Sequence, residues 1–215
     1  MELVRIDTQR AYELIREKIT SLELAPGTLI DEGKLAEELE MGLVPVREAL
    51  NLLAHDHLVA TADQGLFVSK VKISDLQQIS EIRMLLEPYC AQQAAIHATA
   101  DDIVVLEALS QEQGQIPQDQ PKQLFDLDHK FHQAIARAAK NRYLAEILEN
   151  FYGHSKRAWF LVLPHLAFLS AAVESHLAMV QAIKNKDAER AASMMQEHVQ
   201  DFYEKVFEIL KTESE

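Results

Sequence analysis

The sequence predicts a mainly α-helical protein of two domains, the first of which ends in a short β-hairpin. Two observations lead to this prediction. Up to about residue 73, short apolar patterns alternate with turn signals, whereas almost every later segment repeats its apolar residues with helical spacing. The chain is also 215 residues long and 48% apolar, which is enough to build two cores. We therefore predict domains over residues 1–73 and 74–215.

The first domain is predicted to contain three short helices and a hairpin. The first helix ends at Pro26-Gly27, and Pro45 opens the third helix, because proline is tolerated at a first helical position. Two strands, at residues 58–61 and 66–68, flank a turn that contains Gly65. Together these elements make a winged helix-turn-helix. The apolar stripes are Tyr12, Ile15, Ile19 and Leu22 in the first helix, Leu35, Ala36 and Leu39 in the second, and Val46, Ala49, Leu50 and Leu53 in the third.

The second domain is predicted to be an all-α antiparallel helical bundle. Ser74 is a good N-cap for its first helix, and the loop at residues 114–120, which contains Pro117, is the clearest break in the pattern. Short connections favour antiparallel neighbours. A further break is expected near Pro164. The helical runs cover residues 74–98, 101–113, 121–139, 143–163, 167–184 and 187–211.

Composition and charge exclude several classes of protein. The net charge of −13, from 21 Lys and Arg against 34 Asp and Glu, argues against a general nucleic-acid coat or a polybasic membrane binder. Cys90 is the single cysteine, which excludes an internal disulfide framework and a cysteine-rich zinc site. The most apolar stretch, residues 158–173, falls short of the ~20 residues that a membrane span needs. We expect a cytoplasmic protein with no membrane partner.

Four titratable residues lie in apolar stripes of three predicted helices. Asp128 and His132 are four residues apart and therefore project from the same face of one helix, while His176 and His198 lie in the stripes of two others. Each histidine alone could be a hydrogen-bonded core residue, and this alternative stays open. A buried carboxylate without a partner is costly, so the four together favour a metal site. Imidazole with carboxylate suits zinc first, with nickel, manganese or iron(II) as alternatives, and leaves positions open for a small ligand.

Several motifs of the first domain occur together in one known family. They are Pro26-Gly27, Leu35-Ala36, the Pro-Val-Arg-Glu-Ala-Leu run at residues 45–50, Leu58-Val59, and Gly65 before Phe67-Val68. With them, the domain resembles the DNA-binding domain of GntR-type bacterial transcription regulators. The resemblance implies that the third helix lies in the major groove of double-stranded operator DNA with the hairpin beside it. It assigns DNA contacts to Arg47 and Gly65.

The sequence departs from that family just before Pro45. Family members usually carry Ser-Arg-Thr there, whereas this chain has Gly42, Leu43 and Val44, and so lacks a capping oxygen at Val44 and a DNA-reading arginine at Leu43. From Lys34 to Lys70 there are three basic and six acidic residues. In one hypothesis, the domain still binds DNA, through Arg47, backbone amides, dimerisation and apolar contacts to thymine methyl groups. In the other, the domain has lost its affinity for DNA, because contacts to phosphate supply most of the affinity of such domains.

The second domain carries a second set of family motifs. They are residues 83–88, Asp128 to His132 continuing to Asn141, residues 174–176, and Ala188 to His198. Residues 76–211 resemble the all-helical effector-binding domain, called FCD, of the FadR-like branch of GntR regulators. Metal-binding members of that family use one Asp and three His at the motif positions that are Asp128, His132, His176 and His198 in this chain.

The FCD resemblance also implies a ligand, a small organic acid on or beside the metal. Arg83 stands at the position of a family arginine, and its guanidinium suits a carboxylate. The alternative for Arg83 is a salt bridge with Glu81 or Glu87. Trp159 and Phe160 either wall the ligand site or belong to the ordinary core.

The combined prediction is a homodimeric, ligand-responsive transcription regulator whose two-fold symmetry matches a palindromic operator. One rival is a metal-dependent sensor that has weakened or lost DNA binding. The other is a metal-dependent enzyme. The enzyme is disfavoured because no general base is placed beside the four ligand residues and no nucleophile motif such as G-x-S-x-G occurs.

Overall fold

The computed structural model of the chain describes residues 2–117, 120–162 and 169–212, and it has the predicted mainly α-helical architecture. The chain forms two compact units, Met1–Lys72 and Ile73–Glu215, which we call the head and the bundle. None of the described helices is long and apolar enough to cross a membrane. The break predicted near Pro164 falls outside the described residues.

The head is a winged helix-turn-helix around its own core. Ile15 and Ile19 of α1 pack with Leu50 and Leu53 of α3, and all four side chains are fully buried. The Tyr12 hydroxyl also donates a hydrogen bond of 2.6 Å to Asp56 Oδ2, which ties α1 to the end of α3. The elements are α1 (Glu2–Thr20), α2 (Glu32–Glu38), α3 (Leu43–His55), β1 (Val59–Ala62) and β2 (Gly65–Val68).

The hairpin has a register that places Val59 opposite Val68 and Ala62 opposite Gly65. Gly65 follows the turn with a φ of +127°, a conformation that residues with a Cβ rarely adopt. The glycine is therefore required by the backbone at the tip of the wing.

The start of α3 differs from the sequence prediction. The helix begins at Leu43, with Gly42 at the N-cap, so Pro45 is its third residue rather than its first. Proline is tolerated at this position because the first four N–H groups of a helix have no partner within the helix. No side chain caps this end, so the missing cap falls at Gly42 and not at Val44.

The described residues of the bundle form six helices, whose bounds lie within two residues of those predicted. The first of them, α4, packs against α6, α7, α8 and α9 and so lies at the centre. Its buried face includes small side chains, among them Cys90, Ala91 and Ala94, which let neighbouring helices approach closely. The helices are α4 (Ile73–His97), α5 (Ala100–Gln115), α6 (Pro121–Ala138), α7 (Arg142–Val162), α8 (Leu169–Lys184) and α9 (Ala188–Thr212).

The head core yields a stability prediction with a matched control on the same helix. Ile15→Ala should lower the free energy of unfolding of the head by about 2–5 kcal/mol, because it leaves a cavity in a fully buried site. Ile6→Ala should cost under about 1 kcal/mol, because Ile6 is 59% exposed. Chemical denaturation followed by circular dichroism measures both. Equal losses for the two variants would contradict the assignment of the head core.

Candidate metal centre

The bundle brings the four predicted ligand residues to one place. Asp128 and His132 lie one turn apart on α6, His176 lies on α8 and His198 on α9. One candidate ligand atom from each residue lies within 4.8 Å of the other three. The sequence prediction that these four side chains meet is therefore matched by their positions, and their binding of a metal stays a prediction.

The distances within this cluster suit a single cation. The Nε2 atom of His198 lies 3.1 Å from that of His132 and 3.2 Å from that of His176. The carboxylate oxygens of Asp128 lie 3.5 to 3.9 Å from the three Nε2 atoms. Ligands of a tetrahedral zinc ion, with bonds of about 2.1 Å, stand about 3.4 Å apart. The four atoms are therefore spaced as ligands of one ion would be.

Each histidine is oriented through its other ring nitrogen. His132 Nδ1 donates to Glu87 Oε2 at 2.5 Å, and His176 Nδ1 donates to Gln113 Oε1 at 2.6 Å. His198 Nδ1 shares a hydrogen bond of 2.9 Å with the Ser175 hydroxyl. Partners of this kind fix the ring orientation and the tautomer of metal-binding histidines. All three Nε2 atoms consequently face the same point.

The protonation states of the cluster also fit a metal ion. An ionised carboxylate only accepts hydrogen bonds, so the bond to Glu87 places the proton of neutral His132 on Nδ1 and leaves a lone pair on Nε2. Burial, together with the neighbouring imidazoles, lowers the pKa of His176 well below its usual range and that of His198 to about 3. Burial raises the pKa of Asp128, against the opposing effect of His132. With their pKa values lowered, His176 and His198 present neutral imidazoles whose lone pairs a divalent cation would accept.

Glu87 is shared between His132 and Arg83. Its carboxylate accepts a short hydrogen bond from Arg83 Nε and the bond from His132 Nδ1, and all three side chains are buried. Burial alone would raise the pKa of Glu87, but the charge of Arg83 and the contacts with His132 outweigh it and lower the pKa to about 2. The carboxylate is therefore ionised and held from two sides.

Arg83 has most of its donors occupied inside the protein. Beyond its bond to Glu87, Nη1 donates to the hydroxyls of Ser155 and Tyr203, at 3.0 and 3.4 Å, and Nη2 donates to the Tyr152 hydroxyl at 3.1 Å. The guanidinium also lies over the Tyr152 ring, 4.5 Å from its centroid. Of the two alternatives for Arg83, the salt bridge with Glu87 is present. Its predicted role in holding a ligand carboxylate stays a prediction.

A cavity of about 150 Å³ lies against the cluster. Arg83, Asp128, His132 and His198 form one part of its lining, and Trp159 lies in the wall. Phe160 does not line the cavity. Its ring centroid lies 6.5 Å from that of Phe125, which is one of the lining residues. Of the aromatic pair predicted either to wall the site or to belong to the core, only Trp159 borders the cavity.

Sequence reasoning did not identify Gln113 and Ser175 as supports of the histidines. Gln113 lies seven residues after the buried Leu106 and continues its stripe on α5, a signal that was readable. Ser175 directly precedes His176 and had no comparable signal. His129, next to Asp128 on α6, is half-buried, and its ring stacks on that of Tyr152 with a centroid distance of 4.3 Å and forms a hydrogen bond of 2.9 Å with Glu149.

The residues predicted to contact DNA lie in the head. The Arg47 side chain is 56% exposed, and its Nε donates a hydrogen bond of 2.5 Å to Glu32 Oε2, a partner that the sequence did not predict. Gly65 lies at the exposed tip of the wing. Leu43 and Val44 are also exposed, at 38% and 59%, at the start of α3. Contact between any of these residues and DNA stays a prediction.

Comparison with known proteins gives two family matches. Residues 78–201, more than half of the chain, match the family described as FCD domain. Residues 7–68 match the family described as bacterial regulatory proteins, gntR family. The first match lies within the bundle and the second within the head.

Individual relatives are similar over nearly the whole chain. The HTH-type transcriptional repressor RspR of Escherichia coli (strain K12) is 27% identical over 209 residues, covering 96% of this chain and 92% of that protein. The Nta operon transcriptional regulator of Aminobacter aminovorans is 27% identical over 192 residues, covering 89% and 90%. The solved structure of E. coli McbR/YncC superposes with a TM-score of 0.84 at 24% identity, covering 94% and 97%, which shows the same fold.

The double role of Glu87 predicts a loss of metal affinity when its charge is removed. Glu87→Gln should weaken Zn²⁺ binding by about 10- to 100-fold, because the carboxylate that orients His132 is lost. Glu81→Gln, an exposed change on the same helix, is the matched control and should leave the affinity unchanged. Competition with a chromophoric chelator measures the affinity, while far-ultraviolet circular dichroism checks folding. A folded Glu87→Gln protein with normal zinc affinity would refute the role of Glu87.

Proposed function

The chain belongs to the GntR family of bacterial transcription regulators, with an FCD domain, and we propose that it binds operator DNA through its head and senses a small organic acid at a divalent metal in its bundle. The observation that carries the sensing half is the convergence of Asp128, His132, His176 and His198 beside a cavity. The relatives named above are transcription regulators, and the chain is assigned to that class rather than to the enzymes.

The metal would be held by Asp128 and the three Nε2 atoms. When bound, a divalent ion supplies positive charge and open coordination positions that attract a carboxylate, and zinc suits this donor set first, before nickel, manganese or iron. The chain itself holds the imidazoles in place through Glu87, Gln113 and Ser175, and it buries those of His132 and His176. Arg83 adds a fixed positive charge at the cavity wall.

The DNA-binding half of the proposal is supported by the start of α3. Gly42 leaves the first N–H groups of the helix without a side-chain cap, and such groups are ready donors to phosphate. Leu43 and Val44 expose apolar groups of the kind that contact thymine methyls. Arg47 extends from the same helix. These features suit a recognition helix that depends less on charge than is usual.

We include a homodimer in the proposal. A two-fold symmetric protein fits a palindromic operator, as the sequence resemblance implies. On the bundle, Leu85 and Tyr89 lie one turn apart on α4 and are 73% and 49% exposed, which supports an apolar contact with another chain. A cytoplasmic location fits this role and is likewise proposed.

A second candidate function is favoured by the charge of the head. Arg47 is paired with Glu32, and the surrounding residues from Lys34 to Lys70 are acidic in balance. A head of this kind suits a metal-dependent sensor that acts through protein contacts. A salt titration separates the two functions, since undetectable affinity for any duplex at low salt would favour this second candidate.

The metal half of the proposal predicts close to one divalent ion per chain in the purified protein. Asp128→Ala combined with His176→Ala should remove it, because two of the four ligands are lost. Asp126→Ala combined with His97→Ala changes the same residue types outside the cluster and should retain the ion. Mass spectrometry of the metal content measures all three proteins. Metal retained in the first variant would show that the ligands are wrongly assigned.

The pair formed by Arg47 and Glu32 predicts two opposite effects on DNA affinity. Arg47→Gln should weaken operator binding by about tenfold or more, because a contact to DNA is lost. Glu32→Gln should strengthen binding severalfold at low salt, since it removes a negative charge that competes with DNA for Arg47. Fluorescence anisotropy with a labelled duplex measures both, with the exposed bundle change Arg190→Gln as control. Weaker binding by Glu32→Gln would mean that Glu32 positions Arg47 for DNA instead.

A further inference from the structure

The cavity beside the metal cluster has an aromatic wall. The Trp159 ring lies between those of Phe125 and Phe202, with centroid distances of 5.1 and 5.6 Å, and the last pair is stacked. Met194 and Val199 add aliphatic surface to the lining. The aromatic side of the cavity therefore suits an apolar group, which would pack against these side chains.

The size of the cavity limits that group to about one ring. Its volume is about 150 Å³. An apolar cavity of about this size, engineered in another protein, binds one molecule of benzene. A ligand that fills this cavity therefore carries a compact body no larger than one six-membered ring, and the group that faces the cluster shares the same space.

The charges of the lining limit the ligand to a single carboxylate. Asp128, Glu197 and Asp201 carry three negative charges and Lys205 carries one positive charge, while the charge of Arg83 is balanced by Glu87. A divalent ion in the cluster would therefore leave the lining close to neutral. One carboxylate would be attracted by the open coordination positions of that ion. A second carboxylate would meet Glu197 and Asp201, which are exposed on α9, and like charges placed together disfavour binding.

From the aromatic wall, the volume and the charge balance together, we infer that the effector is a small monocarboxylic acid with a compact apolar or aromatic body, and not a di- or tricarboxylic acid. This inference rests on the proposed function, because it assumes a metal in the cluster and a carboxylate beside it. The carboxylate faces Asp128, His132 and His198, and the body lies against Trp159 and Phe202.

The single tryptophan of the chain makes this inference directly testable. Trp159 is in the cavity wall, so its fluorescence reports what binds there. We use full-length zinc-loaded protein and titrate benzoate, acetate, which lacks the body, and succinate, which adds a second charge. Benzoate should change the Trp159 emission and bind about tenfold or more tightly than either. Benzyl alcohol, which keeps the ring and lacks the carboxylate, should bind as weakly as acetate.

Matched variants separate the cavity from the rest of the bundle. Phe202→Ala and the milder Phe202→Leu should weaken benzoate binding severalfold and leave zinc affinity unchanged. Phe207→Ala, on the same helix but outside the cavity lining, should leave both unchanged. Tighter binding of succinate or acetate than of benzoate overturns the inferred class and leaves the proposed sensing of organic acids intact. If none of the three acids binds at millimolar concentration, both are overturned.

Discussion

A single buried carboxylate constrains the bundle. A buried charge is costly unless it is paired, and Glu87 is paired on both sides, with Arg83 and with His132. Arg83 in turn is held by hydroxyl groups from α7 and α9. The helices α4, α6, α7 and α9 are therefore fixed relative to one another by polar contacts as well as by apolar packing. Losing Arg83 would leave the charge of Glu87 without its counter-ion in the interior.

The same network gives the candidate metal centre its geometry. His132 is oriented by Glu87 from α4, His176 by Gln113 from α5, and His198 by Ser175 from α8. The orientation of each imidazole therefore depends on the position of a second helix. A shift of α4, α5, α6, α8 or α9 would change the convergence of the three Nε2 atoms, so the proposed metal binding would be coupled to the packing of these helices. A sensing domain needs such a link between a local site and the arrangement of its helices.

Much of this arrangement could be predicted from the sequence, because helical periodicity assigns each residue to a face. The stripes that contain Asp128, His132, His176 and His198 therefore indicated that these residues point inward. Pairings between distant residues could not be predicted in the same way. Glu87 and His132 are 45 positions apart, and Gln113 and His176 are 63 apart, so only the packing of the helices brings them together. The start of α3 was misplaced because Pro45 suits several positions of a first turn.

The burial of Cys90 has a practical consequence for studying this protein. The thiol is the single one in the chain and lies inside the bundle at 1% exposure, where burial raises its pKa to about 12. A neutral, enclosed thiol reacts slowly with alkylating reagents and oxidants. Reaction at this position requires α4 to separate from its neighbours, so the rate of thiol labelling records transient opening of the bundle. Because the head contains no cysteine, opening of the head does not contribute to the rate of thiol labelling.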